Sequence, residues 1–167
     1  SLAGQVVGPG IVVDISKYMT SIAEFNPDER WVTVEPGVIL AELNHFLKPH
    51  GLFFGPETST ADRCCMAGML GNNSCGLHSI IYGSVRDHIL EAEVILSDGS
   101  EAVFRGLTKE EFNEKCNGDP SSLETQIYRN IHETLSDAEN RNEILNNFPH
   151  PELKRRNNGY ALDSLLD

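Results

Sequence analysis

The sequence predicts an α+β domain, and three features carry that prediction. Runs rich in β-branched residues occur in "GIVVDI" (10 to 15), "WVTV" (31 to 34) and "ILEAEVIL" (89 to 96), as strands require. Segments with helical spacing follow residue 38 and return after Thr108. These strands and helices do not alternate regularly, which argues against a doubly wound parallel sheet. The 167 residues match one domain by the rough guide of about 150 residues each, long enough to bury a core.

Each element has a local reason. "GIVVDI" reads as a short buried strand, and "WVTVEPG" as an alternating one stopped by Pro36. In "VILAELNHFLKPHG", Val38, Leu40, Leu43, Phe46 and Leu47 share a helical face, which Pro49 and Gly51 close. Gly55-Pro56 then sets a turn. A short helix around Cys64 to Leu70 leads into "GNNSCGLHS" (71 to 79). "HILEAEVILSDGSEAVFR" reads as two strands about an Asp98-Gly99 turn. Thr108, with Glu111 three residues on, has the pattern of a capping box. Leu123, Ile127, Ile131 and Leu135 define the core face of a further helix. The last twenty residues, rich in proline and Asn-Asn-Gly, read as an exit loop.

Composition removes several functions. The formal charge is −12, from 13 Lys+Arg against 25 Asp+Glu, so nucleic acid is not an expected partner. No apolar run approaches the roughly 18 residues of a membrane span, and no basic and apolar leader is visible. Cys64, Cys65, Cys75 and Cys116 lack CxxC spacing, so they are expected as reduced thiols in a cytoplasmic protein, without a metal site. His45, His50, His88, His132 and His150 are scattered without ligand spacing. The run containing Glu110, Glu111 and Glu114 reads as a solvated helix face.

Neither GxxxxGK[ST] nor GxGxxG occurs, so a P-loop and a Rossmann site are not supported. What the chain has instead is a set of glycine-containing loops. Glycine lets backbone approach a ligand, and neighbouring N–H groups can hold an anion without lysine. "GNNSCGLHS" supplies more small donors than a turn needs. Two other readings of it stand beside a ligand wall. Asn72 and Asn73 could cap the preceding helix while Ser74 and Cys75 fill a turn. Cys75 and His78 could form a nucleophile and base, although no third orienting group is visible in the sequence.

Several blocks in order, "SLAGQVVGPGIVVDIS", "VTVEPGV", "HGLFFGPETST", "AGMLGNNSCGLHSIIYGSVRDHILEAEVILSDG" and "RRNNGYALDSLL", resemble the FAD-linked oxidases of the PCMH-type, or vanillyl-alcohol-oxidase, superfamily. The branch most similar is that of the D-lactate and D-2-hydroxyglutarate dehydrogenases. The resemblance implies that residues 1 to 147 are part of a PCMH-type FAD-binding domain. This would be its second subdomain, a mostly antiparallel sheet flanked by helices, with the N-terminal subdomain missing. Residues 148 to 167 would lead toward a cap or substrate domain outside this chain.

The same resemblance implies the cofactor contacts. Ser1, Leu2, Gly4 and Gln5 end a pyrophosphate loop, and Pro36 and Gly37 lie on the adenine side. Pro56 and Thr60 lie on the flavin side, followed by Cys65, Ala67 and Gly68. Asn72, Asn73, Ser74 and Gly76 line the flavin, Tyr82 and Gly83 continue the wall, and the Ile89 backbone faces the adenine. Uncharged donors suit a flavin edge, where lysines would overstabilise the reduced anion. The implied reaction is hydride transfer from a D-2-hydroxy acid of the D-lactate, glycolate or D-2-hydroxyglutarate type to FAD. An electron acceptor would complete the cycle. The catalytic base, any metal ligands and any iron–sulfur cluster would belong to regions beyond this chain, as would peripheral membrane association.

Two readings compete with that one. The 167 residues could act alone as a non-catalytic binding or scaffolding module that holds FAD poorly, with an uncovered strand edge favouring a homo-oligomer. The UDP-N-acetylenolpyruvoylglucosamine reductases share the fold, but "GNNSCG" and the "RRNNGYALDSLL" tail argue against that relative.

Overall fold

The computed structural model describes residues 8–150, 152–153 and 160–166. They fall into two compact units, the first running to His88 and the second beginning at Ile89. Both carry helices and one two-stranded antiparallel sheet, so the α+β class holds.

In the first unit, β1 (Ile22–Asn26) pairs with β2 (Trp31–Val34) through Phe25 opposite Val32 and Asn26 opposite Trp31. The Asn26 side-chain oxygen accepts from the N–H groups of Asp28 and Glu29 and closes the turn between them. The helix α1 (Leu40–Leu47) buries Leu40, Leu43 and Leu47 of the expected face, whereas Phe46 is exposed and buried Val38 precedes the helix. It tightens into a 3-10 turn at Lys48–His50 and stops at Gly51, whose φ of 70° is left-handed. Two short helices follow, α2 (Met66–Gly71) and α3 (Ser79–Tyr82), then a 3-10 turn at Val85–His88.

The expected strand at residues 10 to 15 does not form. Ile11 and Val13 are 95% and 72% exposed, and no strand pairs with this segment among the described residues. Strand propensity expresses a fit to a pleated, half-buried surface, and here the segment has neither a paired edge nor a buried face.

In the second unit, β3 (Glu91–Ile95) and β4 (Glu101–Arg105) pair in continuous register from Glu91 opposite Arg105 to Ile95 opposite Glu101. The turn closes with Leu96 N–H donating to Ser100 O (2.8 Å) and Gly99 N–H to Leu96 O (2.9 Å). Gly99 takes φ 84°, the left-handed position of a three-residue hairpin loop. Helices α4 (Lys109–Cys116), α5 (Leu123–Ser136) and α6 (Ala138–Asn147) follow. The capping box at Thr108 is present in both directions, with Glu111 N–H donating to Thr108 Oγ1 and Thr108 N–H to Glu111 Oε2. The core gathers Leu135, Ile144 and Leu166, with Ile131 and Phe148 packed on them.

Leu166 corrects a second expectation. Beyond residue 148 the chain is not simply an exit loop, because Leu162–Leu165 form a 3-10 turn and Leu166 returns to the core. Its carbonyl accepts from Arg141 Nη2 at 2.9 Å. Pro149 follows the end of α6 but does not prevent this later apolar residue from burying itself.

Two measurements check these assignments. Leu166→Ala is expected to cost about 2–4 kcal/mol in urea unfolding, the usual cost of emptying a buried leucine site. An unchanged midpoint would place the C-terminal residues outside the core. The Arg105 guanidinium, and then the Thr108 N–H, hold the Glu111 carboxyl below its ordinary value. A lowered folded value means that its stabilisation is full above the ordinary carboxylate range and fades as pH falls through the folded value. Glu111→Gln is therefore expected to flatten the acid limb of stability while leaving the slope above neutral pH unchanged.

Candidate functional site

The first unit brings together the loops that the sequence singled out. Residues 36 to 41 and 61 to 67 exchange backbone hydrogen bonds at the starts of both α1 and α2. Leu40 N–H donates to Cys64 O and Ala41 N–H to Ala61 O, while Met66 N–H donates to Val38 O and Ala67 N–H to Pro36 O. Ile39 and Cys65 form an antiparallel bridge between them. Neither helix has a side-chain cap, so each satisfies its orphan first-turn donors on the strand-like segment preceding the other.

Helix α2 ends in a Schellman arrangement. Asn73 sits at φ 41°, its N–H donates to Leu70 O, and Ser74 N–H reaches back to Met69 O. The Asn73 side-chain oxygen accepts from Arg86 N–H at 2.9 Å, and Ser74 O accepts from Val85 N–H. Asn72, at the cap position, is exposed. The capping reading and the wall reading of this stretch are thus compatible, because closing the helix here is what presents the loop.

The glycines divide into two groups. Gly37, Gly55, Gly76 and Gly83 are pressed against protein. A Cβ at Gly37 would strike the Ile15 carbonyl, and it would lie 2.6 Å from that of Met19. At Gly55 it would lie 2.8 Å from Tyr82 Cβ, and at Gly76 it would fall on the Glu57 carbonyl. Gly83, at φ 75°, faces Asp87. Gly68 and Gly71 are different: among the described residues nothing lies within 4 Å of an added Cβ at either. Three apart on α2, they share one open face where a ligand can meet backbone.

The other expected contacts take these places. Pro36 is half-buried, its carbonyl engaged by Ala67. Pro56 is fully buried. Thr60 is half-buried with its hydroxyl 3.2 Å from that of Thr58. Burial pushes the Cys65 thiol up, with Cys64 adding to the rise, so it is not a poised thiolate. Ala67 is half-buried beside open Gly68. The ring of Tyr82 meets Phe53 edge-on at 5.1 Å, and its carbonyl engages His88 Nε2 at 2.6 Å. Ile89 belongs to the second unit. Ser1, Leu2, Gly4 and Gln5 lie outside the described residues.

Sequence reading did not anticipate Glu57, whose carboxylate lies 2.6 Å from His78 Nδ1. No local spacing could have signalled a pair between two separate loops. From Cys64 to Gly83 the chain has no Lys, Arg, Asp or Glu. The basic residue just before that stretch, Arg63, is paired with Asp62. A ligand here would therefore be held by backbone N–H groups, amides, hydroxyls and shape.

Residues 1–104 match the family model described as FAD binding domain. The chain belongs to the FAD binding domain family. It is 37% identical over 159 residues to a D-2-hydroxyglutarate dehydrogenase of Escherichia coli, which covers 95% of this chain and 15% of that protein. It is 38% identical over 165 residues to one of Pseudomonas putida, covering 98% and 16%. A mitochondrial D-lactate dehydrogenase [cytochrome] of Kluyveromyces lactis is 32% identical over 93 residues, covering 56% and 16%. The chain thus spans about 15% of the length of the curated relatives it matches. No solved structure matches it. The family's match covers the first unit as far as His88 and nearly all of the β3–β4 hairpin. Among the described residues no helix is long and apolar enough to cross a membrane, and no cluster of potential metal ligands occurs.

The two glycine groups make opposite demands. Gly76→Ala must force the 55–58 and 72–79 loops apart and is expected to cost about 1–3 kcal/mol, the range for overpacking a filled site. Gly71→Ala, with open space at its Cβ, is expected to leave the unfolding midpoint unchanged or raise it. Equal effects of the two substitutions would dissolve the distinction between packed and open glycines.

Proposed function

We propose that this chain forms part of the FAD-holding domain of a flavin-dependent dehydrogenase that oxidises a D-2-hydroxy acid. The observation that carries the reading is the open Gly68–Gly71 face of α2, followed at once by uncharged donors in "GNNSCG". It stands inside a match to the FAD binding domain family. The relatives named for D-2-hydroxyglutarate and D-lactate supply the substrate class.

FAD would supply hydride acceptance from the substrate's α-carbon. The residues of this chain would bind and orient it. Gly68 and Gly71 admit the ligand to the backbone of α2. Asn72 and Ser74 offer neutral donors and acceptors, and Asn73 holds the loop against Arg86 N–H. Tyr82, buttressed by Phe53, forms an aromatic border. The remaining expected contacts, Ser1, Leu2, Gly4, Gln5, Pro36, Gly37, Pro56, Thr60, Cys65, Ala67, Gly76, Gly83 and Ile89, belong to the same proposal. The buried ones among them act by packing the loops. The hydroxyl proton, the substrate carboxylate, the electron acceptor and any iron–sulfur cluster fall to regions that the longer relatives possess. Cytoplasmic location with peripheral membrane attachment, and a homo-oligomeric state, complete the proposal.

A cysteine-hydrolase reading gains an orienting carboxylate for His78 in Glu57, yet the uncharged glycine-rich surroundings suit a planar cofactor better than acyl transfer.

Two experiments test the proposal. The whole protein carrying this chain is expected to hold FAD and to lose its visible flavin band when mixed anaerobically with a D-2-hydroxy acid. A bound flavin that no D-hydroxy acid reduces would sink the reaction class. In the same protein Gly68→Ala is expected to raise the unfolding free energy of the flavin-free form by about 0.5–1 kcal/mol, the usual gain of alanine over glycine within a helix. It is expected to weaken FAD binding at least about tenfold, because the added methyl occupies the close-approach surface. Unaltered FAD affinity would remove α2 from the site.

A further inference from the structure

We propose that Glu57 and His78 are a positioning pair that fixes the spacing of the 55–58 and 72–79 loops, and thereby the width of the cofactor site to which the FAD reading assigns both loops. The inference rests on the FAD reading above and extends it to two residues that reading does not assign.

The pair joins the 55–58 loop to the 72–79 loop, 2.6 Å between Glu57 Oε2 and His78 Nδ1. An ionised carboxylate only accepts, so His78 Nδ1 is the donor and Nε2 is left facing outward from the pair. Both side chains are about half exposed, at 53% and 50%. An exposed ion pair is ordinarily weak, chiefly because two long side chains must be immobilised and water screens them. Here both backbones are already held. Glu57 follows fully buried Pro56 and precedes Thr58, whose hydroxyl contacts Thr60 and Cys64. Its carbonyl is the group against which Gly76 is pressed. His78 is the N-cap residue of α3, and its carbonyl accepts from Ile81 and Tyr82 N–H groups. The next residue, Ser79, is fully buried and accepts from Gly76 N–H at 2.9 Å.

The two loops therefore meet at two points, the Glu57 carbonyl on Gly76 and the Glu57–His78 bond, while Gly55 packs on Tyr82 at the end of α3. Glycine contacts limit how closely the loops approach, since only absent side chains allow them. They do not limit how far the loops separate. The Glu57–His78 bond supplies that second limit.

The test measures FAD release from the whole flavoprotein carrying this chain, by recovery of flavin fluorescence after dilution. His78→Phe and Glu57→Ala are each expected to speed release about fivefold, at the upper end for an exposed pair. The double variant should release no faster than either single one. His78→Asn places an amide donor near the position of Nδ1 and is expected to restore the original rate. Additive effects, unchanged rates, or a His78→Asn variant that behaves like His78→Phe would each overturn the pairing. If the unaltered protein holds no FAD, the parent reading fails, and the loop spacing is decided by amide exchange in that protein. Residues 73 to 79 should then exchange about fivefold faster in His78→Phe but not in His78→Asn. Unchanged protection there would overturn the pair independently of the cofactor.

Discussion

The reciprocal backbone bonding between residues 36–41 and 61–67 is the constraint from which the rest of the first unit follows. Two helices begin there without a side-chain cap, at Ile39 and Cys65, and each start would leave a donor of a buried residue, Leu40 or Met66, unsatisfied if the segments parted. An unpaired buried N–H costs about 1–3 kcal/mol, so four such bonds form or fail together. Once they form, the direction of α2 is set, and with it the side on which Gly68 and Gly71 lie. Gly37, packed on the carbonyls of Ile15 and Met19, fastens the same crossing to the chain preceding β1.

The glycines of this unit show how one residue type serves two purposes. Where Gly55 and Gly76 sit, a side chain is excluded because protein is already there. Where Gly68 and Gly71 sit, a side chain would meet none of the described residues, and a helix ordinarily favours alanine at a place such as Gly68. Glycine is therefore locally unfavourable on the open face and locally required at the loop contacts. The first is what the proposed ligand surface would use, and the second holds the 55–58 loop against Gly76 and Tyr82.

How much of this was legible in the sequence depended on the range of the interactions. The Leu40, Leu43 and Leu47 face of α1, the Thr108 capping box and the Asp98-Gly99 turn rest on neighbours within a few residues, and the sequence displayed them, whereas of the face expected on α5 only Leu135 is buried, beside Thr125 and Tyr128. The order of glycine blocks displayed the family as well. The strand expected at 10 to 15 did not form because propensity is silent about whether a partner edge exists. Leu166 was misplaced for the converse reason: nothing local distinguishes an apolar residue in a polar tail from one that returns to Leu135 and Ile144. Glu57 and His78 lay beyond reach because each looked ordinary in its own segment, and only the contact between the loops gives them a meaning.

The uncharged character of the stretch from Cys64 to Gly83 has a consequence for how a cofactor would be held. A nucleotide pyrophosphate gripped by lysines or arginines draws much of its affinity from charge, which ionic strength weakens. This stretch offers no such cation, and the whole chain carries −12. Affinity at this surface must then come from backbone N–H groups, amides and close fit. Those contributions depend on geometry far more than on salt, because a neutral donor displaced by an ångström simply ceases to bond. A site built this way has little tolerance for drifting loops. Its apparatus is geometric: crossed backbone bonds at the helix starts, a Schellman end at Asn73, glycine contacts that set the closest approach, and a carboxylate–imidazole bond across the loops.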